Sequence, residues 1–458
     1  MTKLATFKRA PFIIIGMQAA AIVTTAVHPL MPLVLVLGLA GVAFMLYCQQ
    51  PILILLANEG FIRRTLSEWF PIFRVIDPVV LLVIIVVFAL VLKLREPEVR
   101  RHLKANQYII AAYLIWVVWM ITASTYAPNA EWAVVKSLRF ALFNTLLFLG
   151  PFILIRTRKE SGIMLHFYLA YGLCVALFII SQLLFRLGSA GPLENVARLS
   201  ILSANPIGAG RILSICAAMS AVLIISDSGK KRLWGLAFAV FLIAAVLTGS
   251  RGPVLSLVAA TGFLGMIIGG KARRRTLLIM ALLVIVAGLA MIIAPEGITY
   301  RYQLLISTKL NQTRQGGWQT LNSITHRIHL WGMALSLWTQ DARHFLLGDG
   351  TSGYARLFPW RNFRYPHNLP LEVLTEYGLV GAWVFSLHIW SALKKISQRF
   401  KTGLGREELM WLAALTTFFF STLVSGDLDN NRFLWFFIGG LVSTISIKSH
   451  RQTEQLSG

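Results

Sequence analysis

The sequence predicts an all-α polytopic membrane protein of about twelve transmembrane helices, with a long outer loop that carries amphipathic helices of its own. Three observations predict it. Hydrophobic residues make up 56% of the 458 residues and charged residues 14%, against roughly 25% charged in a soluble domain. The apolar residues gather into runs near the ~20 residues that a bilayer crossing needs. The basic residues collect in short connections between those runs, as positive-inside sorting requires. A mean hydropathy of +0.68 rules out the two or three soluble domains that this length would otherwise suggest. No polar or low-complexity tract is long enough for disorder, coiled coil or collagen. The whole chain, 1–458, reads as one integral membrane domain.

Apolar runs bounded by charges and turns fall at 12–28, 30–48, 76–93, 108–124, 133–155, 163–187, 207–226, 233–248, 253–270, 276–294, 369–393, 408–425 and 432–447. Lys3, Lys8 and Arg9 precede the first run without a convincing cleavage site, so it reads as a signal anchor. Five basic connections, around Arg95–Lys104, Arg156–Lys159, Lys230–Arg232, Lys271–Arg275 and Lys394–Arg406, fall on one side if every run from 76 onward crosses once. That side is the cytoplasm. The N-terminal basic residues belong there too, so 12–48, interrupted by His28, Pro29 and Pro32, crosses once in net effect. Twelve spans result, with both ends inside. The stretch 49–75 then lies outside, and Phe61, Ile62, Trp69, Phe70 and Ile72 among Arg63, Arg64 and Arg74 suggest an interfacial helix.

Residues 295–368 hold no spanning helix, and a connection so long is usually functional. Within it, 326–340 reads as amphipathic, with Ile328, Leu330, Trp331, Leu335 and Trp338 as apolar positions. Gly348, Gly350 and Gly353 mark turns. Cys48, Cys174 and Cys216 sit in apolar runs and look like small core residues.

The net charge of +24 would suggest nucleic acid in a soluble protein. Here positive-inside sorting accounts for it, and no nucleic-acid partner is expected. The distribution is more informative than the total. Inner connections mix Lys and Arg. The short outer loops and adjacent helix ends carry Arg198, Arg211, Arg251 and Arg432 with no Lys; the long loop carries Arg301, Arg314, Arg327, Arg343, Arg356, Arg361 and Arg364 with a single Lys309. Guanidinium matches phosphate oxygens in pairs, whereas ammonium is a hydrated point charge. An arginine-selective outer face points to a phosphate or diphosphate at headgroup level, set against plain snorkelling to lipid headgroups. Arg211, in Asn205-Pro206-Ile207-Gly208-Ala209-Gly210-Arg211, lies a turn into an apolar helix. Arg251, in Thr248-Gly249-Ser250-Arg251-Gly252-Pro253, lies between two helices. Charges in such places are costly and usually functional.

Pro366-His367-Asn368 stands where the long loop meets a helix. An imidazole there can act as general base near neutral pH, or be an ordinary interfacial polar residue. Glu372 and Glu376, four apart on the helix that follows, could orient it. His326 and His329, beside Arg327, have a spacing that could hold a metal, but no third ligand has suitable spacing, so no metal is expected. Asp427-Leu428-Asp429 reads as an outer turn before Arg432.

Together these residues resemble the O-antigen ligase and polymerase superfamily of bacterial inner-membrane glycosyltransferases. The resemblance covers about 100–447. It rests on Arg211, on Thr248-Gly249-Ser250-Arg251, on His326-Arg327-Ile328-His329-Leu330-Trp331 followed by Leu347-Gly348-Asp349-Gly350, and on His367-Asn368 with Glu376, Gly378 and Gly381. Tyr365-Pro366 stands where the family often has a second histidine. The resemblance implies a glycan donor on undecaprenyl diphosphate in the outer leaflet. It implies Arg211 and Arg251 on the diphosphate, assisted by Arg327, and His367 as base for the acceptor hydroxyl. Asn368, Glu376 and His326 would support the site. It further implies inverting transfer without a metal or other cofactor. The acceptor would be lipid A-core for a ligase, which the reading favours, or a growing glycan for a repeat-unit polymerase, the alternative. The branch that glycosylates proteins usually has a further domain after the last helices, which is not expected here. A flippase is the rival from another class, but it would place its polar residues near the bilayer midplane.

Overall fold

The computed structural model describes residues 49–447, apart from 70, 76, 189–198, 200–204, 227–228, 269, 304–309, 313–317, 321–322 and 359–364. The predicted runs 12–28 and 30–48, with Cys48, Arg198, Lys309, Arg314, Arg361 and Arg364, lie outside the described residues.

Helices dominate. Gln50–Ala57 (α1) and Glu59–Trp69 (α2) precede Pro78–Leu94 (α3) and Pro97–Ala105 (α4). The Asp77 carboxylate caps α3, accepting the Val79 N–H at 3.0 Å, and Pro78 occupies its first position. α3 and α4 meet at 95°, because Pro97 has no N–H to continue the helix and pushes Glu96 into the extended region. Next come Gln107–Ala123 (α5), Ala130–Leu154 (α6, with a π turn at Phe140–Asn144), Arg158–Gly188 (α7) and Pro206–Ser226 (α8). Lys231–Leu247 (α9), Arg251–Ile268 (α10) and Gly270–Ile293 (α11) follow. The segment predicted as a long loop holds Glu296–Gln303 (α12), an antiparallel pair of Leu310–Gln312 (β1) and Trp318–Thr320 (β2), Ser323–Trp338 (α13) and Ala342–Leu347 (α14). The chain then runs through Leu369–Lys401 (α15), Arg406–Thr422 (α16) and Arg432–Ile445 (α17).

Among the described residues, five helices are long and apolar enough to cross a bilayer: Gln107–Tyr126, Ala130–Leu154, Arg158–Phe185, Pro206–Ser226 and Arg274–Ile293. The bent pair α3–α4 passes the same test when taken together, and Arg251–Ile267 and Arg432–Ile445 are shorter apolar helices. The exterior agrees with a lipid solvent: Val80, Ile84 and Phe88 on α3, and Leu278, Val284, Ile285 and Ile292 on α11, are exposed. The chain is a helical membrane protein.

The bundle core is α8 against α9, α10 and α16, with α6 on α17 and α5 on α15; α13 and α14 dock on α15. Its two ends differ. At one end, Arg156 pairs with Glu96 and with Glu160, while Arg158 and Arg399 converge on buried Glu408 at 3.3 and 3.1 Å. Lys395 Nζ and Ser446 Oγ donate to Asn106 at 2.5 and 2.9 Å, and Arg275 Nη1 reaches the Ile225 carbonyl at 3.1 Å. Connections predicted to share a side therefore meet. The opposite end holds the starts of α8, α10, α15 and α17.

One predicted helix turns a different face inward. On α13, Ile328 and Leu335 are exposed, while Leu330, Ala334 and Leu337 are buried, with Ala334 and Leu337 clustering around Tyr354. Both stripes have helical spacing. The buried one is chosen by contact with Tyr354, whose hydroxyl donates to the Leu330 carbonyl at 3.0 Å.

Candidate functional site

The site is organised by a break in α15. Gly378 has φ 61° and ψ −164° inside the helix, a conformation that only glycine adopts cheaply. The break frees the Thr375 and Glu376 carbonyls, which an unbroken helix would satisfy with N–H groups four residues on. The Asp349 and Gly350 N–H groups donate to them instead, each at 2.9 Å. That backbone approach is close. A Cβ at Gly348, itself at φ 75°, would overlap the Glu376 carbonyl, and one at Gly378 would overlap the Leu346 carbonyl. Gly348, Gly350 and Gly378 thus form one joint that fixes the long segment against α15. Asp349 is then clamped by Arg356 at 2.7 Å and His344 at 3.2 Å. Arg356 is engaged structurally, and Arg343 lies over the Tyr126 ring, 5.7 Å from its centre.

Before the break, Glu372 and Glu376 point into the bundle with no exposed side-chain surface. Lys136 of α6 lies between them, its Nζ 2.6 Å from Glu372 Oε1 and 2.9 and 2.8 Å from the Glu376 oxygens. The Leu428 N–H donates to Glu372 at 2.9 and 3.1 Å. Buried charges must be paired and hydrogen-bonded, and these carboxylates have those partners. They tie α6, α15 and the turn between α16 and α17 together. The expectation that either glutamate orients an imidazole is replaced by this ion-pair role. Lys136 also corrects the reading of this end of the molecule as free of lysine.

That turn delivers Asp427, and it stands against Arg211. Arg211 Nε donates to Ser421 Oγ at 2.7 Å, Nη1 to Asn431 Oδ1 at 3.2 Å, and Nη2 to the Ser425 carbonyl at 2.5 Å. The guanidinium stacks over Phe418, 5.1 Å from the ring centre. Gly426, at φ 82°, makes room, since a Cβ there would lie 3.0 Å from Nη2. The Arg251 turn comes close from the other side. A Cβ at Gly210 would lie 3.1 Å from Thr248 Oγ1 and 3.3 Å from Ser250 Cβ, so the α8 backbone rests on Thr248-Gly249-Ser250.

His367 sits just before α15 with φ 58°, a strained conformation of the kind found at functional sites. Its ring lies 4.3 Å from that of Tyr365. Asn368 caps α15, accepting the Leu371 N–H at 3.0 Å and donating to the Leu423 carbonyl at 3.0 Å. Its role here is to hold the histidine's loop to α16. Burial first, then Arg327, His326 and Arg211, push the His367 imidazole down to about 4; Asp427 opposes them. Burial, then the Arg251 guanidinium, lowers the Arg327 pKa. Burial, with Asp427, raises the Tyr365 hydroxyl to about 12.

Arg211 feels Arg327, Tyr365 and Asp427; Arg327 feels Arg251; and His367 feels Arg327, His326, Arg211 and Asp427. Arg211, Arg251, Arg327, His326 and His367 are thus linked, pair by pair, within electrostatic range. The structure adds Lys136, which the sequence reading passed over, and Tyr365 and Asp427, to which that reading gave no role at the site. A charge in an apolar run was the available signal for Lys136. For Asp427 the signal was a two-carboxylate turn beside a helix start. Among the described residues no three His, Cys, Asp or Glu side chains gather as metal ligands would.

Arg327 repels Arg211 and is itself repelled by Arg251, while Asp427 attracts Arg211. Such a run of guanidiniums favours an anion. The buried neutral imidazole beside it can take a proton.

Residues 236–386 match a family profile described as O-antigen ligase. The matched window runs from within α9 into α15 and includes Arg251, Arg327, Gly348, Gly350, His367 and Glu376, whereas Arg211, Lys136 and Asp427 lie outside it. No curated protein matches the chain.

Proposed function

We propose that this chain, which carries the O-antigen ligase family domain over residues 236–386, transfers a glycan from undecaprenyl diphosphate to an acceptor hydroxyl. What supports the reading is the electrostatic linkage of His367 to Arg327 and Arg211, and of Arg327 to Arg251. The guanidiniums hold the donor's diphosphate. The acceptor oxygen attacks the anomeric carbon as His367 accepts its proton, and the bond from that carbon to the diphosphate oxygen breaks. The electron pair leaves with the diphosphate, whose charge the fixed arginines stabilise without reorganising. A single displacement inverts the anomeric centre, and the donor's leaving group needs no metal.

The depressed basicity of His367 fits this order of events. In the free protein the imidazole is neutral at pH 7 but weakly basic, because it is buried and faces guanidiniums. A bound diphosphate offsets those charges and makes the imidazole a stronger base. Asp427 pulls in the same direction. The base is thus strengthened further when the donor is in place.

In this reading the chain spans the bacterial inner membrane twelve times, the pocket faces the periplasm, and residues 295–368 form a periplasmic loop over it. Ligation to lipid A-core is favoured, with O-antigen or exopolysaccharide repeat-unit polymerisation as the alternative. The test is product analysis with purified protein in proteoliposomes, lipid-linked glycan and lipid A-core. A glycosidic product that disappears in His367→Ala supports the reading; movement of donor between leaflets with no new bond overturns it. One addition to lipid A-core marks a ligase, and a ladder on the lipid carrier marks a polymerase.

A further inference from the structure

Beside Arg211 lies a cleft of about 250 Å³, walled by α2, the start of α8 and the start of α17. Arg64, Arg211 and Arg432 line it, with Asn205, Tyr171 and Phe433. Arg432 is almost completely buried, pairs with Glu59 through Nη1, and stacks over Phe143 at 4.3 Å. Its Nε and Nη2 are buried without a protein partner. Leaving charged donors unsatisfied is expensive, and such groups in native proteins call for a ligand or water. The first turn of α8, with Gly208 and Ala209 on the cleft wall, adds the positive end of a helix dipole. Three guanidiniums against the one carboxylate of Glu59 leave the cleft net positive.

The geometry points to a second phosphate subsite here, framed by Arg64 and Arg432, that takes a phosphate monoester on a sugar of the acceptor. Its role in transfer rests on the donor-diphosphate reading of Arg211 given above. The volume is smaller than the ~300–1,000 Å³ of sites that enclose drug-sized ligands, so it suits one phosphorylated sugar unit and not a whole lipid-linked glycan. The Tyr171 and Phe433 rings supply the apolar faces on which a sugar packs. Arg211 lines this cleft and also acts electrostatically on His367, so a group bound here lies beside a residue assigned to the donor.

The test uses the full chain in nanodiscs of neutral lipid, without donor. Wild type should bind glucose 6-phosphate and not glucose, by equilibrium dialysis. Arg64 is exposed, so Arg64→Gln is expected to fold. It should weaken glucose 6-phosphate binding about tenfold, the size of one charge-assisted hydrogen bond, and Arg64→Lys should recover part of it. Undecaprenyl diphosphate binding should be unchanged in both variants. A parallel arm with phosphatidic acid in the nanodisc separates a lipid headgroup from a sugar phosphate as the source. Displacement of glucose 6-phosphate by that lipid at trace levels would assign the cleft to lipid and overturn the acceptor assignment. Equal binding of glucose and glucose 6-phosphate, or equal loss of undecaprenyl diphosphate in Arg64→Gln, would also overturn it. Wild type that binds glucose 6-phosphate but neither binds undecaprenyl diphosphate nor transfers glycan would leave the subsite standing and remove the donor reading.

Discussion

Lys136→Met removes the cation between two fully buried carboxylates while keeping the length and apolar stem of the side chain. Three carboxylate oxygens lie within 2.6–2.9 Å of Lys136 Nζ, and the side chains are 10% exposed for Lys136 and 0% for Glu372 and Glu376. Breaking a buried pair by deleting one partner typically costs about 3–5 kcal/mol, because the remaining charge is uncompensated. Here two carboxylates lose one cation, while the Leu428 N–H remains as a partner for Glu372 and a Ser352 backbone hydrogen bond for Glu376. A loss within that range is therefore expected. The assay is unfolding in detergent, followed by size-exclusion chromatography after graded heating. Lys136→Met/Glu376→Gln, which removes the carboxylate that loses two hydrogen bonds from Lys136, should recover much of the loss. A Lys136→Met protein as stable as wild type would refute the ion-pair account, as would a double variant worse than the single one. Transfer should fall further than stability explains, because Glu372 also holds the turn that presents Asp427 to His367.

Other perturbations reach the site by separate routes. Gly348→Ala forces a positive φ costing about 1–3 kcal/mol and adds overlap with the Glu376 carbonyl; the melting temperature should drop, whereas Gly332→Ala, inside α13 and meeting nothing within 4 Å, should hold or raise it. Arg211→Lys keeps the charge but loses the fork to Ser421, Asn431 and Ser425; kcat should fall about 10²–10³-fold in a reconstituted transfer assay. The His367 imidazole is the unprotonated base at any pH above about 4 in the free protein. Hence kcat/KM, which reports the free enzyme, should hold from pH 7 downward and fall only as pH passes through about 4. The limb in kcat, which reports the donor complex, should lie at higher pH.

Much of this was legible in the residues because its causes are local. Apolar runs became α3 and α5–α11, and proline and aspartate marked starts such as that of α3. Arg211 and Arg251 stood out because guanidinium in apolar surroundings demands a reason, Arg327 only through the family resemblance, and His367 because it precedes a helix. What stayed hidden depends on partners distant in sequence. Lys136 is one charge in a long apolar run, and only its contact with residues 236 and 240 positions later gives it meaning. Glu376 has the right spacing from His367 for support, yet its oxygens go to Lys136. The buried face of α13 could not be chosen from spacing, since two stripes compete and Tyr354 decides between them. The break at Gly378 is a property of α15 and the Gly348–Gly350 backbone together.

The most direct test of the central claim is donor binding and single-turnover transfer measured side by side on wild type, Arg251→Lys and His367→Ala in nanodiscs. The account predicts that Arg251→Lys loses affinity for undecaprenyl diphosphate, whereas His367→Ala binds it normally and transfers no glycan. Undiminished diphosphate affinity in Arg251→Lys, or glycan transfer by His367→Ala at the wild-type rate, would contradict it.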